Sequence, residues 1–190
     1  VDSYPDDRML VGEVNIRSTE RVLQYYGAGD ELHLAFNFNP LDAPWDPVLF
    51  RTCIREVEHW LQPAGAWPTW VLSNHDNVRQ RSRYQGSERA ARAAAVMLLT
   101  LRGTPFIYQG EELGLEDAVI TAETRTDPGG RDGCRAPIPW QAQPPHGWQR
   151  AEPWLPFPPD ANELAAERQT GETNSMFALY QRLLDARKAS

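Results

Sequence analysis

Apolar positions along the chain gather in short runs that alternate with helical stretches. Met9 to Val14 is a compact apolar run and reads as a buried strand, with Glu13 as its one charged member. Ser18 or Thr19 can cap a short helix that ends before Gly27, where a left-handed residue costs little. His33 to Phe38 is a second strand. Asp46 suits an N-cap and Pro47 a first helical position. Spacings of three and four then place Leu49, Phe50, Cys53, Ile54, Val57, Trp60 and Leu61 on one helix face, up to Pro63. Thr69 to Ser73 is a third strand. Ser87 caps an alanine-rich helix from Glu88 to Leu101. Thr104 to Tyr108 is a fourth strand, with Pro105 near its start, where a missing N–H is tolerated. A last helix is expected from about Ser175 to Lys188, with Met176, Tyr180, Leu183 and Leu184 facing inward.

Regular alternation of strand and helix predicts an α/β protein with a parallel sheet. Four such units do not close a barrel of the (β/α)8 type, which needs eight units and typically ~250 residues. The pattern therefore fits a small open sheet or half of a larger barrel. No short period repeats, which argues against a solenoid. Between the fourth strand and the last helix, residues 109–173 hold nine of the 16 prolines and three of the seven tryptophans, and they read as one long irregular loop.

Composition narrows the partners. With 41% hydrophobic and 24% charged residues the chain is an ordinary globular one, not a disordered one. A net charge of −7 with no basic stripe argues against nucleic acid and anionic membranes as partners. No apolar run approaches the ~18–20 residues needed to span a bilayer. Val1 to Arg8 is polar and shows no signal peptide, which in a fragment says little about export; the expected location is cytoplasmic. Cys53 and Cys134 form neither a CxxC motif nor a zinc spacing, and no disulfide is expected between them. Abundant tryptophan suits a carbohydrate surface, and it suits core packing equally.

Four features carry candidate chemistry. Glu13 near the end of an apolar strand is expected to be half-buried, which is how a general acid is made; the alternative is a strand-end carboxylate that caps a loop. Ser73-Asn-His-Asp76 follows the third strand at the end where active-site residues of parallel barrels collect, so His75 and Asp76 can bind hydroxyls or stabilise a cation; a structural turn is the other reading. Arg131 and Arg135, four apart in a Gly/Pro-rich loop, suit a clamp on sugar hydroxyls or a carboxylate, or a loop salt bridge to Asp127 or Asp132. Glu111 and Glu112 follow the fourth strand and read as loop anchors. His33, His59 and His146 have no partner in view and read as structural or solvent-facing. Metal ligation by His75 and Asp76 is discounted because no other His or Cys falls at ligand spacing nearby. GxSxG, Walker A and GxGxxG patterns are absent.

Taken in order, these segments resemble the α-amylase superfamily, glycoside hydrolase family 13, and within it bacterial α-glucosidases. Val11-Gly-Glu-Val14 is similar to the family's fifth-strand motif, Ser73 to Asp76 to the seventh-strand motif, and Gly103 to Glu112 to the eighth. Arg131 to Arg135 and Pro137 to Trp140 are similar to the loop after the eighth strand. The resemblance implies half of a (β/α)8 TIM barrel, the fifth to eighth β/α units. Residues 1–108 would hold the strands and intervening helices, 109–173 a long loop on the active-site side, and 174–190 the last helix.

The resemblance also implies roles. Glu13 would be the general acid/base, Asp76 the transition-state stabiliser, and His75 and Arg135 sugar-binding residues. The reaction would be retaining hydrolysis of a terminal α-linked glucose from a small oligosaccharide or disaccharide, with no cofactor and no metal in this half. The family's nucleophilic aspartate, from the fourth strand, has no counterpart: Asp2, Asp6 and Asp7 match no part of its motif. The chain is therefore expected to be inactive without the N-terminal half of the barrel as partner. Alternatives are a glucosyl-transferring or isomerising relative that forms trehalose or isomaltulose, a non-catalytic glycosidase-like binding subunit, and an unrelated open α/β binding domain.

Overall fold

The computed structural model describes residues 4–149 and 153–190; Asp2 lies outside them. Two units emerge. The first runs to Val71 and takes in Leu101–Phe106, and the second comprises Leu72–Thr100 and Ile107–Ser190.

Among the described residues the first unit holds four short strands. β1 (Val11–Gly12) pairs in parallel with β2 (Leu34–Ala35), Val11 opposite Leu34. β3 (Thr69–Val71) pairs in parallel with β4 (Thr104–Phe106), Trp70 opposite Pro105. Parallel pairing holds as expected, but among the described residues no ladder joins β2 to β3. A side chain does that work: the Thr69 hydroxyl donates to the Ala35 carbonyl (2.7 Å) and accepts from the Asn37 N–H (3.1 Å). Thr69 is buried, so its hydroxyl has no water to fall back on.

The strand expected over Met9 to Val14 shrinks to two residues, with Met9 59% and Leu10 45% exposed. An apolar run announces a strand, but burial also needs a layer to cover it, and β1 is paired only along its β2 edge among the described residues. Glu13, just past β1, is likewise exposed and not half-buried.

α1 (Thr19–Leu23) starts at Ser18, whose hydroxyl accepts from the Arg21 N–H, and continues through a 3₁₀ turn (Gln24–Tyr26) to Gly27 at φ 59°. α2 (Pro47–Leu61) starts at Asp46, whose Oδ1 accepts from the N–H groups of Val48 and Leu49. α2 buries Phe50, Val57 and Leu61, spaced seven and four apart along one narrow stripe. Leu49 sits ~100° from that stripe at 3.6 residues per turn and is exposed, contrary to its expected inward face. Cys53, Ile54 and Trp60 are half-buried. Under β3, Phe38, Leu41 and Val71 form a core on which Phe36 and Phe106 pack edge to face, 4.5 Å between ring centroids.

The second unit is helical. α4 (Glu88–Thr100) packs on α6 (Met176–Ala189) through Ala91, Ala95 and Leu99 against Met176 and Tyr180; alanines four apart let the two backbones approach. Leu183 and Leu184 pack on this cluster half-buried. Ser175 caps α6, its hydroxyl accepting from the Ala178 N–H. α3 (Gln80–Arg83) escapes the sequence pattern, because Gln-Arg-Ser-Arg has no apolar residue to betray a helical period. The stretch 109–173 is not wholly irregular: it contains a 3₁₀ turn (Asp132–Arg135) and α5 (Ala166–Thr170). Buried Gln169 of α5 donates to the carbonyls of Leu113 and Leu164 and accepts from the Phe177 N–H, which fixes that stretch to α6. Among the described residues no helix is long and apolar enough to cross a membrane.

Candidate functional site

The segment after β3 turns sharply. Asn74 Oδ1 accepts from the Asp76 N–H (3.0 Å) and from Asn77 Nδ2 (2.8 Å), a side-chain-closed turn that leaves the Asp76 carboxylate pointing outward. Ser73 Oγ accepts from the Gln80 N–H (2.9 Å) and fastens the start of α3 to the same segment. The structural-turn reading is realised here. The turn is what presents the carboxylate.

Two arginines meet that carboxylate. Asp76 Oδ1 accepts from Arg131 Nη1 (2.8 Å) and Arg135 Nη2 (3.0 Å), while Oδ2 lies 3.6 Å from His75 Nε2. Arg131 also grips Asp127 with both sides of its fork, Nε to Oδ2 (2.9 Å) and Nη2 to Oδ1 (2.8 Å). Arg135 Nε donates to the His75 carbonyl (2.8 Å). The expected loop salt bridge to Asp127 therefore exists, but it is one arm of a network centred on Asp76. Asp132 plays another part: its carboxylate accepts from the Thr126 and Asp127 N–H groups and from the Thr126 hydroxyl.

The electrostatics follow. Partial burial pushes the Asp76 carboxyl up, but the Arg131 bond, the charges of His75 and Arg131 and the Arg135 bond outweigh it and hold the group below the usual carboxylate range. The Arg131 side-chain bond holds Asp127 lower still. Both groups are anionic at neutral pH.

Behind the network stands a buried polar layer that the sequence reading missed. Arg79, 1% exposed, lies over the Tyr108 ring (4.9 Å to the centroid) and donates to the Gln109 carbonyl (2.7 Å). Tyr108 donates to the Cys134 carbonyl (3.0 Å), inside the turn that carries Arg135. Gly110 serves this packing: at φ 89° a Cβ there would come within 2.9 Å of the Arg79 guanidinium. Glu112 Oε2 accepts from the Gly110 N–H (2.8 Å), the loop anchor expected of it. Glu111 is different. It is wholly buried, and its pKa is pushed up to about 8 by that burial and by Glu112, with Ser73, Arg79 and Arg83 pulling the other way. A charged residue in a polar loop sequence gives no sign of such burial.

Glu13 belongs to the first unit and the Asp76 network to the second. Both cysteines are free, and burial raises each thiol to about 11, so neither is a thiolate nucleophile at neutral pH. His33 does have a partner, its Nδ1 accepting from the Leu10 N–H (3.1 Å). His146 is buried, with Nδ1 2.8 Å from the Gln141 carbonyl and its ring against Phe157. Exposed His59 lies edge-on to Trp60. Among the described residues no three His, Cys, Asp or Glu side chains gather as a metal site.

Comparison with known proteins places the chain in a family. A probable α-glucosidase of Rhizobium meliloti is 37% identical over 95% of this chain and 35% of its own length. An amino acid transporter heavy chain of Rattus norvegicus is 32% identical over 93% of this chain and 26% of its own length. The crystal structure of the α-glucosyl transfer enzyme XgtA superposes with a TM-score of 0.87 at 33% identity, over 98% of this chain and 37% of that one. The chain thus spans about a third of the length of such relatives. The family model described as the alpha amylase catalytic domain matches residues 1–190. A match of that extent, on a backbone this close to a solved α-glucosyl transfer enzyme, makes the chain a member of the α-amylase catalytic-domain family, glycoside hydrolase family 13.

Proposed function

We propose that this chain supplies the acid/base and charge-stabilising side of a retaining α-glucosidase, as the fifth to eighth β/α units of its barrel. One observation carries the reading. Asp76 is an outward-facing carboxylate with one oxygen held by two guanidinium groups and the other beside His75. A fixed anion of this kind stabilises a developing oxocarbenium-like charge without reorganising during the reaction. His75 and Arg135 would hold hydroxyls of the terminal glucose. Glu13 would protonate the leaving oxygen and then take a proton from the incoming water, while an aspartate outside this chain attacks the anomeric carbon. In retaining enzymes those two carboxyl groups stand ~5–5.5 Å apart.

The test is Asp76→Asn in the whole catalytic domain, assayed on a chromogenic α-glucoside. Loss of one fixed electrostatic stabiliser is expected to lower kcat by about 100–1,000-fold. Wild-type turnover would remove Asp76 from the reaction. A second reading, glucosyl transfer to a sugar acceptor, draws on the likeness to XgtA. Product analysis at high sugar concentration separates transfer from hydrolysis. A third reading, a non-catalytic binding subunit, draws on the likeness to an amino acid transporter heavy chain and predicts no turnover from the wild-type domain at all.

A further inference from the structure

Arg131 is one of the two guanidinium groups on Asp76, and it is the better-oriented of them. Its Nε and Nη2 form a two-pronged grip on Asp127, and its own backbone N–H donates to the same carboxylate (2.9 Å). Asp127 thereby fixes both the main chain and the guanidinium plane of Arg131. That leaves Nη1 as the free arm, and it meets Asp76 Oδ1 at 2.8 Å. Arg135 Nη2 reaches the same oxygen, so two donors converge on Oδ1, and among the described residues no guanidinium bonds Oδ2, which lies 3.6 Å from His75 Nε2.

We propose that Arg131, oriented by Asp127, is a positioning residue that anchors Asp76 by Oδ1 and leaves Oδ2 turned to the sugar. The inference rests on Asp76 being the charge-stabilising, sugar-binding group. A lone aspartate carboxylate rotates easily about its last bond. Two donors on one oxygen stop that rotation and decide which oxygen is offered. Charge balance points the same way. Asp127 offsets Arg131, so the anchor brings no uncompensated positive charge toward a site where positive charge develops. Exposure is consistent as well, since the Arg131 side chain is 40% and the Asp76 side chain 37% accessible. The pair stands at an open surface and does not prop a core.

The experiment compares Arg131→Ala, Arg131→Lys and Asp76→Asn in the whole catalytic domain. Misplacing a reacting group by about an ångström costs up to ~100-fold in rate, so Arg131→Ala should lower kcat about 10–100-fold with a much smaller change in KM. Methylguanidinium in the buffer should restore several-fold of the lost rate in Arg131→Ala. Arg131→Lys should stay low, because an ammonium cannot grip Asp127 and Asp76 at once. Thermal midpoints should match wild type. Wild-type kcat in Arg131→Ala overturns the proposal. So does a loss that methylguanidinium leaves unrepaired and that tracks a fall in melting temperature. If Arg131→Ala does not fold, the near-isosteric Asp127→Asn replaces it, with a several-fold loss of kcat expected and unchanged kcat refuting. Asp76→Asn keeps the two ideas apart: full activity there sinks the function itself, whereas an inactive Asp76→Asn beside a fully active Arg131→Ala sinks only the anchor.

Discussion

Replacing Glu111 with glutamine should make the protein more stable in alkaline solution, not less. Glu111 is buried in the second unit, and burial first, then the charge of Glu112, raises its pKa from 4.5 to about 8 against the pull of Ser73, Arg79 and Arg83. The folded state thus holds a proton that the unfolded chain gives up near its ordinary pKa. The sign follows from linkage. Below about pH 4.5 both states are protonated and the group costs nothing; between there and about pH 8 the unfolded state binds fewer protons, so stability falls as pH rises. At ~1.36 kcal/mol per pH unit, the loss approaches an upper bound of about 4–5 kcal/mol by pH 8. Glutamine keeps the shape and cannot ionise. Wild type and Glu111→Gln should therefore melt together near pH 5, and the variant should pull ahead steadily toward pH 8.5. Thermal midpoints across that range test this, with a carbon-13 titration of the Glu111 carboxyl as the direct check. If the variant is the weaker protein at pH 8, the carboxylate is ionised there and serves as counter-charge to Arg79 and Arg83, and the reasoning fails.

Two further outcomes are expected. Thr69→Val removes the hydroxyl that bridges Ala35 and Asn37 and leaves the buried Ala35 carbonyl and the half-buried Asn37 N–H without that partner, so it should cost about 1–3 kcal/mol in urea unfolding; a neutral result would show that the β2–β3 junction does not depend on it. The 190-residue chain expressed alone should not hydrolyse a chromogenic α-glucoside, since none of its aspartates matches the family's nucleophile motif, and turnover at the rate of related enzymes would refute this.

The order of elements was legible in the sequence because local rules decide it. Ser18, Asp46 and Ser175 cap their helices through their own side-chain oxygens, Gly27 ends a turn by adopting positive φ, and the alanines of α4 have strong intrinsic helix propensity. His75, Asp76, Arg131 and Arg135 could be singled out as well, because a polar cluster just past an apolar strand, and paired arginines in a glycine-rich loop, are local patterns too.

Burial and partnership were not legible, because they depend on what lies across space. Met9, Leu10, Leu49 and Glu13 look alike in sequence to residues that are covered, yet all four are exposed. Glu111 reads as a loop anchor in the sequence, yet it is wholly buried, as is Arg79. The sequence by itself determined the strand–helix alternation and the chemical types gathered at the ends of the strands. Only the tertiary structure decided that Arg131 and Arg135, more than fifty residues along the chain from Asp76, converge on one of its oxygens. Contacts between residues so far apart are fixed by the packing of whole elements, and no local periodicity encodes them.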